Sequence, residues 1–186
     1  MSKILIINGH PAPEASTAGK AILEAILAKH PEAAVRTLAK TCGPAGFDVP
    51  AEQAALSEAD VIVWHFPFYW YSVPAIMKKW IDDVLTQGFA YGSGGTALHG
   101  KRLLLSFTTG AAAEAYAKGA PMNWPVEAFL PPLLQTAALC GMKTLDPVWS
   151  CGMMYIPGVL GHDDLEAVHR AAEAHAARLA QEIESA

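Results

Sequence analysis

Residues 60–92 read DVIVWHFPFYWYSVPAIMKKWIDDVLTQGFAYG, a buried strand that runs through an aromatic loop into an amphipathic helix. Asp60, Val61, Ile62, Val63 and Trp64 form a short, almost continuous apolar run, the pattern of a parallel strand covered on both faces. Pro67, which has no amide hydrogen to give to a ladder, ends it. Phe68, Tyr69, Trp70 and Tyr71 then gather four aromatics at the strand end. Ser72 is placed to cap a helix whose first turn carries Pro74. Val73, Ile76, Met77, Trp80, Ile81, Val84 and Leu85 recur at helical spacing, so one face is apolar, while Lys78, Lys79, Asp82 and Asp83 take the other. An isolated aromatic cluster is more often core or interface than ligand site. Its position decides otherwise here, because open α/β sheets bind ligands at the carboxyl ends of their strands.

Composition sets the outer limits. The 186 residues are 52% hydrophobic and 17% charged, which predicts one domain, 1–186, with a sizeable core. A net charge of -5 gives no basic footprint for nucleic acid. Cys42, Cys140 and Cys151 are odd in number and widely spaced, which fits reduced thiols better than a disulfide framework or a metal site, so no metal is expected. Ile4 to Ile7 is too short and lacks the basic leader of a signal peptide, and no apolar run approaches the roughly 18 residues of a membrane helix. A cytoplasmic protein is expected, with peripheral contact at the inner membrane face as the variant reading.

Strands and helices alternate along the chain. Strands are expected at Lys3–Asn8, Ala34–Ala39, Asp60–Trp64, Lys101–Thr108 and Lys143–Cys151. Helices are expected at Ser16–Lys29, Ala51–Glu58, Val73–Leu85 and Val126–Cys140, with a last one capped by Asp163 and turning Leu165, Val168, Ala172, Ala176, Leu179 and Ile183 inward. Five strands alternating with helices predict a three-layer α/β fold, a parallel doubly wound sheet of order 2-1-3-4-5 with helices on both faces. In that order the ligand lies between the ends of the first and third strands.

Three loops would then meet there. After the first strand, Asn8-Gly9-His10-Pro11 leads to Ser16, Thr17, Ala18 and Gly19, where helix N-terminal N–H groups and hydroxyls can hold a phosphate. An ordinary turn capped by Ser16 is the plainer reading of that loop alone. The aromatic loop is the second. Thr108, Thr109, Gly110 and Ala111, small residues that let backbone approach a ligand, are the third, with Tyr116 further on. A phosphate cradle, an aromatic wall and a small-residue floor together fit a mononucleotide flavin. Two other nucleotide motifs fail on context. GTALHGK, Gly95 to Lys101, has Arg102 where a P-loop carries Ser or Thr and precedes a strand, and no G-x-G-x-x-G follows the first strand.

These residues resemble the NAD(P)H:quinone oxidoreductases of the flavodoxin-like fold, the DT-diaphorase group, and most closely the ancillary oxidoreductase subunits of bacterial glutathione-gated potassium efflux systems. The resemblance spans nearly the whole chain. It is carried by AAEQAALSEADVIVWHFPFYWYSVPA and KKWIDDVLTQGFAYGSGGTALHGK, then by TTG and LQTAALCGM. It implies that His10, Ser16, Thr17, Ala18 and Gly19 hold a flavin phosphate. Pro67, Phe68, Tyr69, Trp70 and Tyr71 would line the ribityl chain and ring, and Thr108, Thr109, Gly110 and Ala111 the ring edge. FMN is the expected cofactor, FAD the alternative, and NAD(P)H the co-substrate.

The chain departs from the family at three positions: Gly19 stands where Asn is common, Ala111 where a second Gly is common, and Met122 where a histidine partners the tyrosine at position 116. A tyrosine-histidine proton relay is therefore not expected, and Tyr116 is the sole catalytic candidate. The implied activity is hydride transfer from NAD(P)H through flavin to a quinone by a ping-pong route. Azo or nitro reduction, and a regulatory role on a membrane potassium efflux protein, are the alternatives. A homodimer is expected, its interface on the apolar face of the 73–85 helix including Trp80, flanked by Phe89 and Tyr91.

Overall fold

The computed structural model describes residues 2–185. Its strands are β1 (Ile4–Asn8), β2 (Ala34–Thr37), β3 (Val61–Pro67), β4 (Arg102–Thr108), β5 (Lys143–Thr144) and β6 (Val148–Ser150). Its helices are α1 (Thr17–Lys29), α2 (Leu38–Thr41), α3 (Val49–Glu58), α4 (Ala75–Val84), α5 (Pro131–Leu139) and α6 (His162–Glu184). Every strand pairing is parallel, in the order β2-β1-β3-β4-β5, with β6 continuing β5 along the edge of β4.

Alternation along each strand divides the core in two. Leu5 and Ile7 of β1, with Ile62, Trp64 and Phe66 of β3 and Leu103, Leu105 and Phe107 of β4, pack under α3, α4 and α5. Ile4, Ile6, Val61, Val63 and Leu104 face α1 and α6. A strand covered on both sides by helices has no polar face to show, which is why these segments read as unbroken apolar runs.

The last strand is not the continuous Lys143–Cys151 segment expected. Leu103 pairs with Thr144 and Ser106 with Val148, so Leu104 and Leu105 of β4 stand opposite three residues, Leu145, Asp146 and Pro147. The extra residue is a bulge centred on a proline that has no N–H for the ladder. Prolines also divide the expected Val126–Cys140 helix, into a 3-10 turn at Val126–Phe129 and α5, because Pro131 and Pro132 have no N–H to give to preceding carbonyls. The second strand stops at Thr37, and Leu38 turns into α2.

Two caps differ from expectation. Ser72 instead closes a tight turn, exchanging both backbone hydrogen bonds with Tyr69 at 3.1 Å, and α4 begins after Pro74 with no side-chain cap. Helix α6 starts at His162, where Asp164 accepts from the Gly161 N–H at 2.9 Å, so Asp163 lies inside the first turn. Ser16 does cap α1 as expected, accepting from the Gly19 N–H at 3.1 Å.

The apolar face of α4 is core, which corrects its assignment to a dimer interface. Met77, Trp80 and Val84 are fully buried against the sheet. The Trp80 Nε1–H donates to Glu52 Oε2 at 3.0 Å, and Arg36 donates to Glu52 Oε1 from Nη2 at 2.8 Å and Nε at 3.1 Å. The Glu52 carboxylate is thus almost wholly buried yet fully partnered, the condition under which a charge is tolerated in a core.

Candidate functional site

The carboxyl ends of β1, β3 and β4 open into a cavity of about 420 Å³, within the roughly 300–1,000 Å³ typical of small-molecule sites. His10, Ser16, Thr17 and Ala18 line it from the β1–α1 side, Pro67, Phe68 and Tyr69 from the β3 loop, and Thr108, Thr109 and Gly110 from the end of β4. Backbone bonds tie these segments together. Gly9 N–H donates to His65 O and Phe68 N–H to Thr108 O, both at 2.8 Å.

A fourth segment completes the wall: Met153, Met154 and Tyr155, with Ala15 opposite. Sequence reading missed these residues, although they follow the last strand and so leave the sheet at the same carboxyl edge. What brings them in is backbone: Thr109 N–H donates to Ser150 O at 2.9 Å, Gly152 N–H to Ala111 O at 2.8 Å and Met153 N–H to Thr109 O at 2.9 Å.

The α1 end of the cavity is built for an anion. The first turn of a helix has N–H groups with no preceding carbonyl to bond. Ser16 takes that of Gly19, which leaves the Thr17 and Ala18 N–H groups without a partner among the described residues, at the cavity wall. The helix dipole adds about half a positive charge there. His10 contributes a neutral ring. Partial burial pushes its pKa down, and Ala12 N–H donates to Nδ1 at 3.0 Å, so the ring proton sits on Nε2 as a donor.

Five predicted residues lie elsewhere. Gly19 sits behind the cradle, where a Cβ would come within 2.7 Å of Ser16 Oγ. Trp70 and Tyr71 occupy the two central positions of the Tyr69–Ser72 turn, both at positive φ (48° and 63°), and do not line the cavity. Trp70 is 91% exposed. Tyr71 stacks on Phe129 at 5.2 Å and its hydroxyl donates to Met122 Sδ at 3.6 Å. Ala111 is outside the lining, its carbonyl accepting from Thr109 Oγ1 at 2.8 Å. Tyr116 is also outside it, packed beside Phe68 and Phe129. Burial pushes its phenol up, opposed by a side-chain hydrogen bond with Thr109.

The arrangement can bind an elongated ligand with an anionic end at α1 and a flat apolar part between Phe68, Tyr69 and Gly110. Among the described residues no cluster of side chains could hold a metal ion. The sequence profile of a family described as having the flavodoxin-like fold matches residues 2–183. The chain belongs to that flavodoxin-like family. It is 44% identical over 168 residues to the glutathione-regulated potassium-efflux system ancillary protein KefF of Salmonella typhimurium, covering 90% of this chain and 91% of the relative. The structure of general stress protein 14 from Treponema denticola, solved in complex with FMN, superposes with a TM-score of 0.84 at 32% identity, over 96% of this chain and 98% of that one. An NADPH-quinone reductase from P. pentosaceus superposes at 0.74 with 28% identity, over 94% and 97%.

Proposed function

We propose that this flavodoxin-like protein is an FMN-dependent NAD(P)H:quinone oxidoreductase in which the whole chain forms one flavin-binding unit. The observation that carries the reading is the meeting, around one cavity, of an anion-binding helix start with an aromatic loop and a glycine floor. The FMN-bound structural neighbour, matched over nearly its full length, supports the same ligand. The donor set fits the cofactor: Thr17 and Ala18 N–H groups with His10 for its phosphate, and a surface at Gly110 without a side chain for its ring edge.

Bound there, FMN would supply two-electron hydride chemistry between NAD(P)H and a quinone, the two substrates sharing one ring face in turn. The protein's own part is positional. Ser16 holds the first turn of α1 in register, the Gly110 N–H can donate toward charge developing at the ring edge, and Phe68 and Tyr69 exclude water from one side. Tyr116 stands behind that wall. With Met122, a thioether with no acid-base capacity at neutral pH, near Tyr71, no side-chain proton relay is assembled at this position.

A homodimer suits the surface. Tyr69, Trp70 and Tyr71 beside the cavity, with Trp124 further along the chain, are exposed aromatics, and exposed apolar area of this kind marks association. The likeness to KefF supports a second reading, a cytoplasmic regulatory subunit acting on a membrane potassium efflux protein. Azo or nitro reduction is a further use of the same pocket.

The test is reconstitution. The purified protein should take up one FMN per chain in preference to FAD, NADH or NADPH should bleach it, and quinone should restore its colour with parallel steady-state lines. A protein that takes up neither flavin would refute the proposal, and intersecting lines would remove the shared ring face.

A further inference from the structure

Beneath the cavity, on the side facing α1 and α6, the apolar lining of the sheet gives way to a buried polar row. His65 of β3 and Ser106 of β4 are cross-strand partners there, and His175 reaches Ser106 from α6. Both histidines and the serine are almost wholly buried. His65 Nε2 lies 3.1 Å from Gly19 O and Nδ1 3.0 Å from Ser106 Oγ. Ser106 Oγ lies 2.9 Å from His175 Nε2, and His175 Nδ1 3.0 Å from Ser150 Oγ. Arg178 Nη2 donates to Ser150 Oγ at 2.9 Å.

Only one arrangement of hydrogens satisfies this chain with neutral rings, and burial keeps both neutral. A carbonyl oxygen can only accept, so His65 carries its proton on Nε2 and its Nδ1 is bare. The Ser106 hydroxyl must therefore donate to His65, which leaves Ser106 Oγ to accept from His175 Nε2–H. His175 Nδ1 is then bare and accepts from Ser150, whose oxygen accepts from Arg178. Donation runs in one direction, from Arg178 on α6 to the Gly19 carbonyl on α1.

The end point of the chain is informative. Gly19 is clamped twice, its N–H by the Ser16 cap and its carbonyl by His65, and the residues between, Thr17 and Ala18, carry the free N–H groups at the cavity. Apolar contact between α1 and the sheet is non-directional, so it fixes the axial position of the helix less sharply than a directional bond. The hydrogen bond from the sheet to the third residue of the helix is directional. A side chain at position 19 would intrude on this clamp, since its Cβ would stand 2.7 Å from Ser16 Oγ and 3.5 Å from His65 Nε2.

We propose that His65 is a positioning residue for the anionic end of the ligand: through Gly19 it fixes the axial position of α1, and the Ser106–His175–Ser150–Arg178 chain holds it in the donating tautomer. This rests on the flavin reading above, and the ligand chemistry it tunes is the terminal phosphate of FMN.

The experiment compares FMN with riboflavin, which differs from it by that phosphate, on stripped and refolding-checked protein. The parent should bind FMN the more tightly. His65→Ala should weaken FMN by about tenfold, the worth of one directional hydrogen bond, with riboflavin affinity unchanged within about twofold by the same reckoning. His65→Gln, whose amide nitrogen stands near the place of Nε2, should recover most of the loss. Ser106→Ala, a smaller change that keeps His65 but removes its orienting donor, should give a weaker loss of the same selectivity and carries the test if His65→Ala does not fold. Equal losses for FMN and riboflavin in a folded variant, or Gln behaving as Ala, would overturn the positioning role while leaving the flavin reading intact. A parent that binds neither ligand would overturn that reading itself.

Discussion

Acid should destabilise this protein through its two buried histidines, by an amount set by their environment. Burial pushes the His65 pKa down to about 4, opposed by its bond to Gly19, and the neighbouring His10 lowers it further. His175 is pushed down to about 3 by burial, then by His65 and Arg178. In the unfolded chain each would titrate near 6.5. Because the folded values are the depressed ones, the unfolded state binds protons that the folded state refuses, and stability falls as pH drops below about 6.5. Each group then contributes a slope approaching 1.4 kcal/mol per pH unit, so going from pH 7 to pH 5 removes about 2 kcal/mol per histidine and about 4 kcal/mol for the pair. Against a typical total of about 5–15 kcal/mol that is a large share. Urea unfolding of the flavin-free protein in half-unit steps between pH 5 and 7.5 reads this directly, above the range where carboxylates titrate. The His175→Gln variant, with one titrating group removed, should lose about 2 kcal/mol less than the parent over this range. Equal slopes in parent and variant would refute the argument that these rings are held neutral.

The turn at Tyr69–Ser72 has both central residues at positive φ, a conformation that costs a bulky residue about 1 kcal/mol or more. Trp70→Gly should therefore raise the melting temperature, since the exposed indole contributes little packing; a lower melting temperature would contradict the strain. Trp80→Phe should cost about 1–3 kcal/mol by leaving the buried Glu52 Oε2 without its donor, yet leave the sedimentation behaviour of the assembly unchanged because Trp80 is core. Tyr116→Phe should slow quinone reduction by less than about a hundredfold, the low end of general acid-base contributions, and a larger loss would make Tyr116 a proton donor.

Much of the architecture was legible from local pattern. Apolar runs such as Ile4–Ile7 and Val61–Trp64 specify strands buried on both faces, and their alternation with helical periodicity leaves few topologies open. The Ser16 cap and the Thr109-Gly110 loop were legible for the same reason: they are short-range chemistry at strand ends whose place in a parallel sheet is fixed. Local signals misled where a long-range partner decides. The Val73–Leu85 stripe has the same spacing whether it meets a second subunit or its own sheet, and only the buried Glu52 on α3, reaching Trp80 from a distant part of the chain, shows that it is core. Trp70 and Tyr71 belong to an aromatic cluster by sequence, but a turn at positive φ directs them away from the cavity.

Sequence by itself thus determined the order of the strands, the two helical layers and the three loops that meet at their carboxyl ends, because each follows from periodicity and from residues a few positions apart. The tertiary structure alone decided the fourth wall at Met153–Tyr155 and the chain from Arg178 to Gly19. Those depend on register between strands: His65 opposite Ser106, a one-residue bulge before Val148, and α6 packed so that His175 meets Ser106 and Ser150. A lone histidine in a strand and another in a helix carry no mark of each other until the sheet is assembled.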